Sequence, residues 1–299
     1  MTTGQGTGGG DRERGNAPKH GTRLSAVEIH DNIVAPGEEE LTRATSSLFF
    51  SSLGSGLAIG FSFLAGGYVM TLVPGEYGLA AAAAVYPLGF MLVIIARMEL
   101  FTENTVVPVI PLLRKPSVYR FSRLLRVWLI LLVGNLLGAV VFATVLARTP
   151  MVPADFHEQL AALAAHATDG GFWAVAYKAI FAGWLIALLS WLLASTFHTG
   201  AQLVLIWLCT APIAAFGFRH SIAGAVEALY RGAAGHAGWL TMAGEFILPA
   251  VLGNAVGGVL LVALLNYAQV APEMESETQW RPVGAPGSAR RPLRRRPRS

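Results

Sequence analysis

Charged side chains are scarce in this chain: of its 299 residues only 13% are Asp, Glu, Lys or Arg, while 54% are hydrophobic. Because soluble domains carry about 25% charged residues, the composition excludes an ordinary soluble domain. Cysteine is nearly missing as well, since Cys209 is the only one, and an internal disulfide framework is therefore excluded. Residues 1–40 hold no apolar stretch, which argues against a cleaved signal peptide and favours a cytoplasmic N-terminus. The sequence predicts a polytopic membrane protein.

The signatures of common enzyme classes are missing too. The chain has no Gly-Lys-Ser/Thr loop for a phosphate, no His-Glu-x-x-His pair for zinc and no credible Ser/His/Asp set. We therefore expect neither an enzyme nor a cofactor nor a metal site. One enzymatic alternative stays open, a membrane-embedded hydrolase or acyltransferase built on His220 and Glu227.

Apolar runs of roughly 20 residues, the length that crosses ~30 Å of hydrocarbon, predict six membrane spans. The predicted spans are Ser47–Val73, Leu79–Ala96, Leu124–Ala147, Phe172–Phe197, Ala201–Tyr230 and Trp239–Val270. The second span continues past a break through Val106–Leu113, and the fifth is interrupted near Pro212 and Gly217. The expected fold is an all-α membrane bundle of six transmembrane helices, with the second and fifth helices broken.

Arginine is concentrated in two segments, the loop 114–126 and the tail 281–298, whereas the connection 149–171 has no Lys or Arg. By the positive-inside rule, both termini and the basic loop are expected in the cytoplasm of a bacterial cell with an inner membrane, and the connection outside. The arginine tail favours anchoring to anionic lipids over binding of nucleic acid. Membrane lipids are therefore expected partners, and nucleic acid is not.

Three regions follow from this composition. Residues 1–44 are expected to form a mostly disordered cytoplasmic tail, 45–270 the transmembrane domain, and 271–299 a basic, disordered cytoplasmic tail. Within the first tail, residues 25–45 indicate either a short amphipathic segment at the membrane surface or a partly helical linker.

The third and sixth predicted spans share a pattern of small and polar residues. It consists of Gly134, Asn135 and Gly138 in the third span, and of Gly253, Asn254 and Gly257 in the sixth. Glycines four apart let two helix backbones approach closely, and an asparagine beside them needs a hydrogen-bond partner inside the bundle. Thr102 precedes Asn135 by 33 residues, and His220 precedes Asn254 by 34. The chain is expected to consist of two three-span halves, inverted in the membrane, with equivalent breaks.

Both breaks carry polar side chains at the depth of the bilayer, where such groups need a partner or water. They are Arg97, Glu99, Glu103 and Asn104 at the first break, and Arg219, His220 and Glu227 at the second. The first break is expected to be a re-entrant loop inside the bundle, with a cytoplasmic loop as the alternative. We expect a buried polar network in which Arg97 and Glu99 or Glu103 neutralise one another or Glu227.

At these residues the sequence resembles the formate/nitrite transporter family of pentameric, aquaporin-like anion channels. The segment 100–105, Leu-Phe-Thr-Glu-Asn-Thr, is similar to the family's loop between the halves of the second helix. The segment 217–223, Gly-Phe-Arg-His-Ser-Ile-Ala, is similar to its pattern around a central histidine. The resemblance covers roughly residues 45–268. It implies an aquaporin-like homopentamer that conducts small monovalent anions or their conjugate weak acids, such as formate or nitrite.

The resemblance also implies residues of a substrate pathway. His220 would be the central histidine that faces the substrate, with Thr102 opposite it. Leu100 and Phe101 would contribute to a constriction on the cytoplasmic side. A small anion would be neutralised near His220 and would pass the apolar slits as the acid, because burying an unpaired charge costs several kcal/mol or more.

Further pathway positions follow from the same resemblance. Tyr86 and Phe90 fall where second-helix residues line narrow slits, and Ile213 falls where the family often has an aromatic slit residue. Ala187 occupies the place of an asparagine in well-studied members, and Ser190 replaces an apolar constriction residue. Because of these departures, an aquaporin-like channel for small neutral solutes stays open as the main alternative.

Overall fold

The computed structural model describes residues 24–73, 75 and 77–279, and of 275–279 the backbone alone. Residues 1–23 of the predicted N-terminal tail and the arginines of 281–298 lie outside the described residues. The described part of the chain forms α-helices with short 3₁₀ and π turns and contains no β-strand. The α-helices are α1 (Ala26–Thr42), α2 (Thr45–Ala58), α3 (Gly60–Leu72), α4 (Tyr77–Val85), α5 (Pro87–Ile95), α6 (Val109–Arg114), α7 (Val118–Arg148), α8 (Ala154–Ala167), α9 (Phe172–Leu193), α10 (Thr199–Ala215), α11 (Ala223–Ala233), α12 (Trp239–Thr241), α13 (Leu248–Gly258) and α14 (Leu265–Gln279).

These helices reproduce the six predicted spans. Five helical segments of the described chain are long and apolar enough to cross a membrane: Thr45–Leu72, Tyr77–Ile95, Val118–Arg148, Phe172–Leu193 and Trp239–Met274. The sixth unit is shorter, because α10 ends at Ala215 and the chain resumes as α11 after a break. The break after α5 has buried side chains at Leu100, Phe101 and Thr102, so the re-entrant alternative holds and the cytoplasmic-loop alternative is wrong.

Helix α1 lies on one end of the bundle, which we call the α1 face. It begins at a capping box, in which Ser25 Oγ accepts from the Glu28 backbone N–H and the Glu28 carboxylate accepts from the Ser25 backbone N–H. His30, Ile33 and Leu41 are buried against neighbouring helices that include α6, α7 and α14. At the C-terminal end of the described chain, α14 extends to Gln279. The predicted boundary between the transmembrane domain and the C-terminal tail, at residue 270, therefore lies inside a helix.

Two pairs of helices pack with their backbones in contact, one pair in each half. Helix α7 packs against α2, and α13 packs against α9. A Cβ atom at Gly138 would meet the carbonyl oxygen of Leu53, and one at Gly257 would meet that of Ile180. The same small-residue contact is therefore built twice, in halves of opposite orientation. Helix α8 lies at the end of the bundle opposite the α1 face, and we call this end the α8 face.

The two broken helices end in the same way. Arg97 and Gly217 both have left-handed backbone torsions, with φ of 57° and 63°. In each case the next residue donates a hydrogen bond five residues back, Met98 N to Val93 O at 3.0 Å and Phe218 N to Ile213 O at 2.8 Å. This is the Schellman helix end, at which glycine is favoured because it has no Cβ. One half has the expected glycine and the other has an arginine.

Arg97 is exposed, so its predicted membership of the buried polar network is wrong. The reason is the helix end itself, which turns the Arg97 side chain away from the loop that re-enters the bundle.

Replacing Arg97 by glycine is expected to stabilise the protein by about 1 kcal/mol, because left-handed torsions cost an L-residue roughly 1–2 kcal/mol. Gly217→Ala, the matched variant in the other half, is expected to lower stability by a similar amount, since an added Cβ there meets nothing nearer than Arg219 Nη1 at 4.0 Å and its main penalty is the torsion. Unfolding of the purified protein in mixed detergent micelles measures both. If both variants changed the stability in the same direction and by the same amount, the assignment of matched left-handed helix ends to the two positions would be contradicted.

Candidate functional site

Each re-entrant segment is held by one buried asparagine. Asn135 Oδ1 accepts from Phe101 N at 2.9 Å, and its amide donates to Glu99 O at 2.9 Å and to Ser52 O at 2.8 Å. These bonds satisfy backbone groups that no regular helix satisfies at this depth. The first asparagine therefore fixes the residues on both sides of Leu100.

The second asparagine repeats the arrangement. Asn254 Oδ1 accepts from Ser221 N at 2.8 Å, and its amide donates to Arg219 O at 2.9 Å and to Ala179 O at 2.7 Å. The residue between its two break partners is His220. In the repeat, His220 thus corresponds to Leu100, and the sequence-based alignment of His220 with Thr102 is displaced by two positions. The displacement arises because the prediction compared spacings of 33 residues from Thr102 and 34 from His220, whereas Leu100 and His220 lie 35 and 34 residues before their asparagines.

The two breaks meet at His220 and Thr102, which are both fully buried. Imidazole Nε2 lies 2.9 Å from Thr102 Oγ1. Imidazole Nδ1 accepts from the backbone N–H groups of Ile222 at 3.2 Å and Ala223 at 3.1 Å, at the start of α11. Since Nδ1 is an acceptor, the proton of a neutral ring is on Nε2, which donates to Thr102. A proton on Nδ1 would face two N–H donors, so the geometry favours the neutral ring.

Apolar side chains surround this pair. The Phe90 ring meets the imidazole edge-on, with centroids 4.9 Å apart, and Tyr86 contacts Phe90 at 5.3 Å. Leu100 and Ile213 belong to the same buried cluster. An ion without its water would find few polar partners here apart from the histidine and the threonine.

A cavity of about 50 Å³ lies between this pair and the α8 face. Its polar and charged lining residues are Ser62, Tyr86, His166, Arg219, His220 and Glu227. His166 is on the exposed side of α8, so the cavity reaches toward the surface at that face. Of the pathway residues implied by the resemblance, the cavity contains Tyr86 and His220 and none of the others.

Arg219 is held over the cavity by the connection that bears α8. Its Nη2 donates to the carbonyl oxygens of His166 at 3.3 Å and Asp169 at 3.0 Å, while its Nε has no hydrogen-bond partner. Glu227 lies one helical turn after the start of α11 and lines the same cavity. No nitrogen of Arg219 comes within 4.0 Å of the Glu227 carboxylate, so the two side chains share the cavity without an ion pair.

The polar residues of the first break lie at the α1 face instead. Glu99 pairs with Arg43 at 2.6 Å and accepts from the Asn104 amide at 2.9 Å, and Arg43 also pairs with Glu40 at 2.9 Å. Burial raises the pKa of Glu40 to about 7; the Glu99 carboxylate adds to this rise and Arg43 opposes it. The predicted pairing of Arg97 with Glu99 is wrong, because Arg43 at the end of α1 takes that place.

The polar residues that were predicted to form one buried network therefore form two clusters, one at the α1 face and one at the α8 face. Inversion of the halves accounts for this, since Glu99 and Arg219 each come two residues after the left-handed residue of their break. Glu103 starts the 3₁₀ turn Glu103–Thr105 and is half-buried, and it forms no ion pair with Arg97 or any other described residue.

Three remaining pathway candidates lie away from the cavity. Phe101 packs edge-on against Trp128 of α7, with ring centroids 6.0 Å apart. Ala187 belongs to a second buried cluster with Val106 of the first break. Ser190 donates to the Ile186 carbonyl oxygen of its own helix at 3.2 Å. These positions lie on the α1 side of the His220–Thr102 pair.

Sequence reasoning missed Arg43, because its role depends on how α1 packs. It also missed His166, whose backbone oxygen orients Arg219. Among the described residues, no group of three His, Cys, Asp or Glu side chains could hold a metal ion.

Two half-spanning helices that meet at a buried histidine, inside an inverted-repeat bundle, define a membrane channel or transporter. The family model described as formate/nitrite transporter matches residues 27–268, and the chain belongs to this family. Members are channels and transporters, so the chain is a multi-pass membrane transport protein and not an enzyme.

Individual relatives agree with this assignment. The chain is 33% identical over 255 residues to the inner membrane protein YfdC of Escherichia coli strain K12, covering 84% of this chain and 81% of that protein. It is 32% identical over 246 residues to a probable formate transporter of Methanothermobacter thermautotrophicus, covering 71% and 88%. A solved pentameric formate channel with formate bound has the same fold, with a TM-score of 0.65, 20% identity, and coverage of 76% of this chain and 98% of that one.

Proposed function

We propose that the protein carries small monovalent anions, or their conjugate weak acids, across the inner membrane. The observation that supports this most directly is the hydrogen bond between His220 and Thr102. It joins the two breaks at a buried polar point between the cavity on the α8 side and the Glu99 cluster on the α1 side. A solute that passes between the faces meets this pair.

The substrate proposed is of the formate and nitrite type. The family description and the probable formate transporter at 32% identity support this class. The size of the cavity agrees, since about 50 Å³ accommodates an anion of three heavy atoms or one to two waters at about 30 Å³ each.

The neutral His220 ring gives the pair a specific role in this proposal. With Nδ1 occupied by two backbone N–H groups, the imidazole offers a fixed Nε2–H dipole relayed through the Thr102 hydroxyl. It polarises and orients the solute rather than supplying a proton. The sequence-based hypothesis placed neutralisation of the anion near His220 and left open whether the histidine gives the proton or only polarises the anion, and the present proposal takes the second role.

We further propose a homopentamer with both termini in the cytoplasm. The pentameric formate channel of the same fold supports the assembly. The orientation is supported by the basic loop, which packs on the end of α1: Arg120 pairs with Glu38 at 2.8 Å, and Arg123 donates to Leu41 O at 2.8 Å. Positive charge concentrated at this face favours the cytoplasmic side.

The test is uptake of formate, nitrite, acetate and glycerol by vesicles containing the purified protein, at two pH values. We expect the two small anions to enter much faster than in protein-free vesicles, and glycerol to enter at the protein-free rate. Glycerol-driven swelling without a response to formate would instead establish the neutral-solute channel.

His220→Asn is expected to lower formate uptake about tenfold, the value of one hydrogen bond of about 1.4 kcal/mol. Asparagine can still accept from the N–H groups at the start of α11, but it is too short to reach Thr102. The matched variant Thr102→Val removes the other partner of the same bond and should give a similar loss. Unchanged uptake in both variants, with assembly verified by gel filtration, would refute the role of the pair.

A further inference from the structure

The cavity on the α8 side holds two ionisable groups that the pathway described so far does not use. Arg219 is 4% exposed and Glu227 is 6% exposed. The Arg219 Nε has no hydrogen-bond partner, and Glu227 forms no hydrogen bond or ion pair with a described residue. Buried charges are normally paired, and an unpaired one is costly. A cation and a carboxyl group that share a small cavity without pairing leave room for a ligand between them.

The ligand must be small, and the Arg219 side of the cavity requires it to be an anion. The guanidinium is already fixed by the carbonyl oxygens of His166 and Asp169, so it does not have to be ordered when a ligand binds. Arg219 Nη1 lies beside Gly217 of the cavity lining and donates no hydrogen bond to a described residue, and an oxyanion such as formate or nitrite offers it an acceptor. The next step of the path is apolar, since Phe90, which packs on His220, belongs to a buried apolar cluster that includes Leu100 and Ile213. An anion would have to be neutralised before that step.

A proton donor is therefore needed in or beside the cavity. His220 is unsuited, because its Nδ1 accepts two backbone N–H groups and its Nε2–H is directed at Thr102. Tyr86 lines the cavity but is a much weaker acid than a carboxyl group. Glu227 has a carboxyl group in the cavity and no competing partner.

We propose that this cavity is where the anion is bound and protonated, with Arg219 as the anion-binding residue and Glu227 as the proton donor. The inference deepens the proposed function and rests on it. In the step, the Glu227 O–H bond breaks and a new O–H bond forms on the bound oxyanion. The neutral acid moves on past His220, and a hydronium ion from the water at the α8 face returns a proton to the Glu227 carboxylate. No other reactant is required.

The surroundings of Glu227 contain few other titratable groups. Across the cavity stand Tyr86 at the α4–α5 junction, His166 on α8, and Arg219 and His220 in the break. On α8, His157 is engaged with the Tyr230 hydroxyl at 3.0 Å. On the π turn Met242–Ile247, Glu245 is exposed at the outer surface of the bundle.

The test is the pH profile of formate uptake by vesicles containing wild-type protein or Glu227→Gln. The fraction of an acid with a pKa near 4 that is already neutral in the bath rises about a hundredfold from pH 7 to pH 5. Uptake by Glu227→Gln should follow that rise, because only bath acid can pass. Wild-type uptake should change much less over the same interval, because Glu227 protonates the bound anion. Identical profiles would overturn the proposal.

Two further measurements separate the roles. Arg219→Gln should raise the formate concentration for half-maximal uptake about tenfold, and Arg219→Lys should restore part of this loss. Glu158→Gln, an exposed carboxylate on α8, is the matched control and should behave as wild type. If Glu227→Gln does not assemble, infrared spectroscopy of the wild type decides: formate should remove the band of a protonated carboxyl group, and no change would count against the proposal. A wild type that takes up no weak acid would refute the proposed function itself.

Discussion

Asn254→Leu is expected to lower the stability of the protein by about 3–6 kcal/mol and to abolish weak-acid uptake. Leucine fills a similar volume but leaves Ser221 N, Arg219 O and Ala179 O without the partners that the asparagine provides. Each buried backbone group left unsatisfied costs about 1–3 kcal/mol. The break that carries Arg219 and His220 would then lose its position. Unfolding in mixed micelles and vesicle uptake measure the two effects.

The inverted repeat provides a matched test. Asn135→Leu should have a loss of stability similar to that of Asn254→Leu, because its three hydrogen bonds, two to the first break and one to α2, have the same geometry. Asn266 of α14 is half-buried and forms no such bonds, so Asn266→Leu should change stability by no more than about 0.5 kcal/mol. A small effect of Asn254→Leu, close to that of Asn266→Leu, would contradict the assigned role.

The repeat was predictable because small residues and asparagine have few uses in a membrane helix. Gly257 cannot be larger where α13 touches α9, and Asn254 cannot be buried without partners. Positions under these constraints carry glycine or asparagine, and a sequence pattern can therefore indicate them. The register between the halves was predicted less well: Thr102 was matched to His220 from their spacings of 33 and 34 residues to the asparagines, whereas the bonds of the two asparagines place Leu100 in the position of His220.

The polar network was predicted with the wrong partners, for a reason that lies outside either break. Sequence proximity suggested Arg97 for Glu99, but the partner is Arg43, 56 residues earlier, which α1 brings to the α1 face. Likewise, the carbonyl groups that orient Arg219 come from the α8 connection, 50 and 53 residues earlier. Backbone carbonyls carry no side-chain signature, so no pattern of residue types could have indicated them.

The chemistry of the site depends on how the side chains at equivalent positions of the two halves differ. Two inverted halves of one design place Leu100 and His220 at equivalent positions and Glu99 and Arg219 beside them. One half therefore has an acidic cluster facing α1, and the other has a cation and a carboxyl group in a cavity facing α8. In the proposed function, an anion that enters from the α8 side meets positive charge first, and this polarity favours its binding on that side and its passage as a neutral acid.

The α9–α13 contact is the support on which Asn254 depends. A Cβ atom at Gly257 would overlap Ile180 O and lie 2.8 Å from Trp184 N, and both are backbone atoms of α9 that a side-chain rotation cannot move. The equivalent atom at Gly138 would overlap Leu53 O and lie 2.7 Å from Leu57 N of α2. Larger residues at either glycine must therefore separate two helices.

Gly257→Val is expected to destabilise the protein by about 3 kcal/mol or more, at the upper end of the usual cost of overpacking, because backbone rather than side chains must move. Uptake should fall with it, since a shift of α13 by a fraction of an ångström lengthens the bonds from Asn254 to Arg219 and Ser221. Gly244→Ala, where an added Cβ has nothing within 4 Å, is the control and should leave both properties unchanged. Wild-type stability in Gly257→Val would show that α9 and α13 can separate freely, and the asparagine would then have to hold the break without their support.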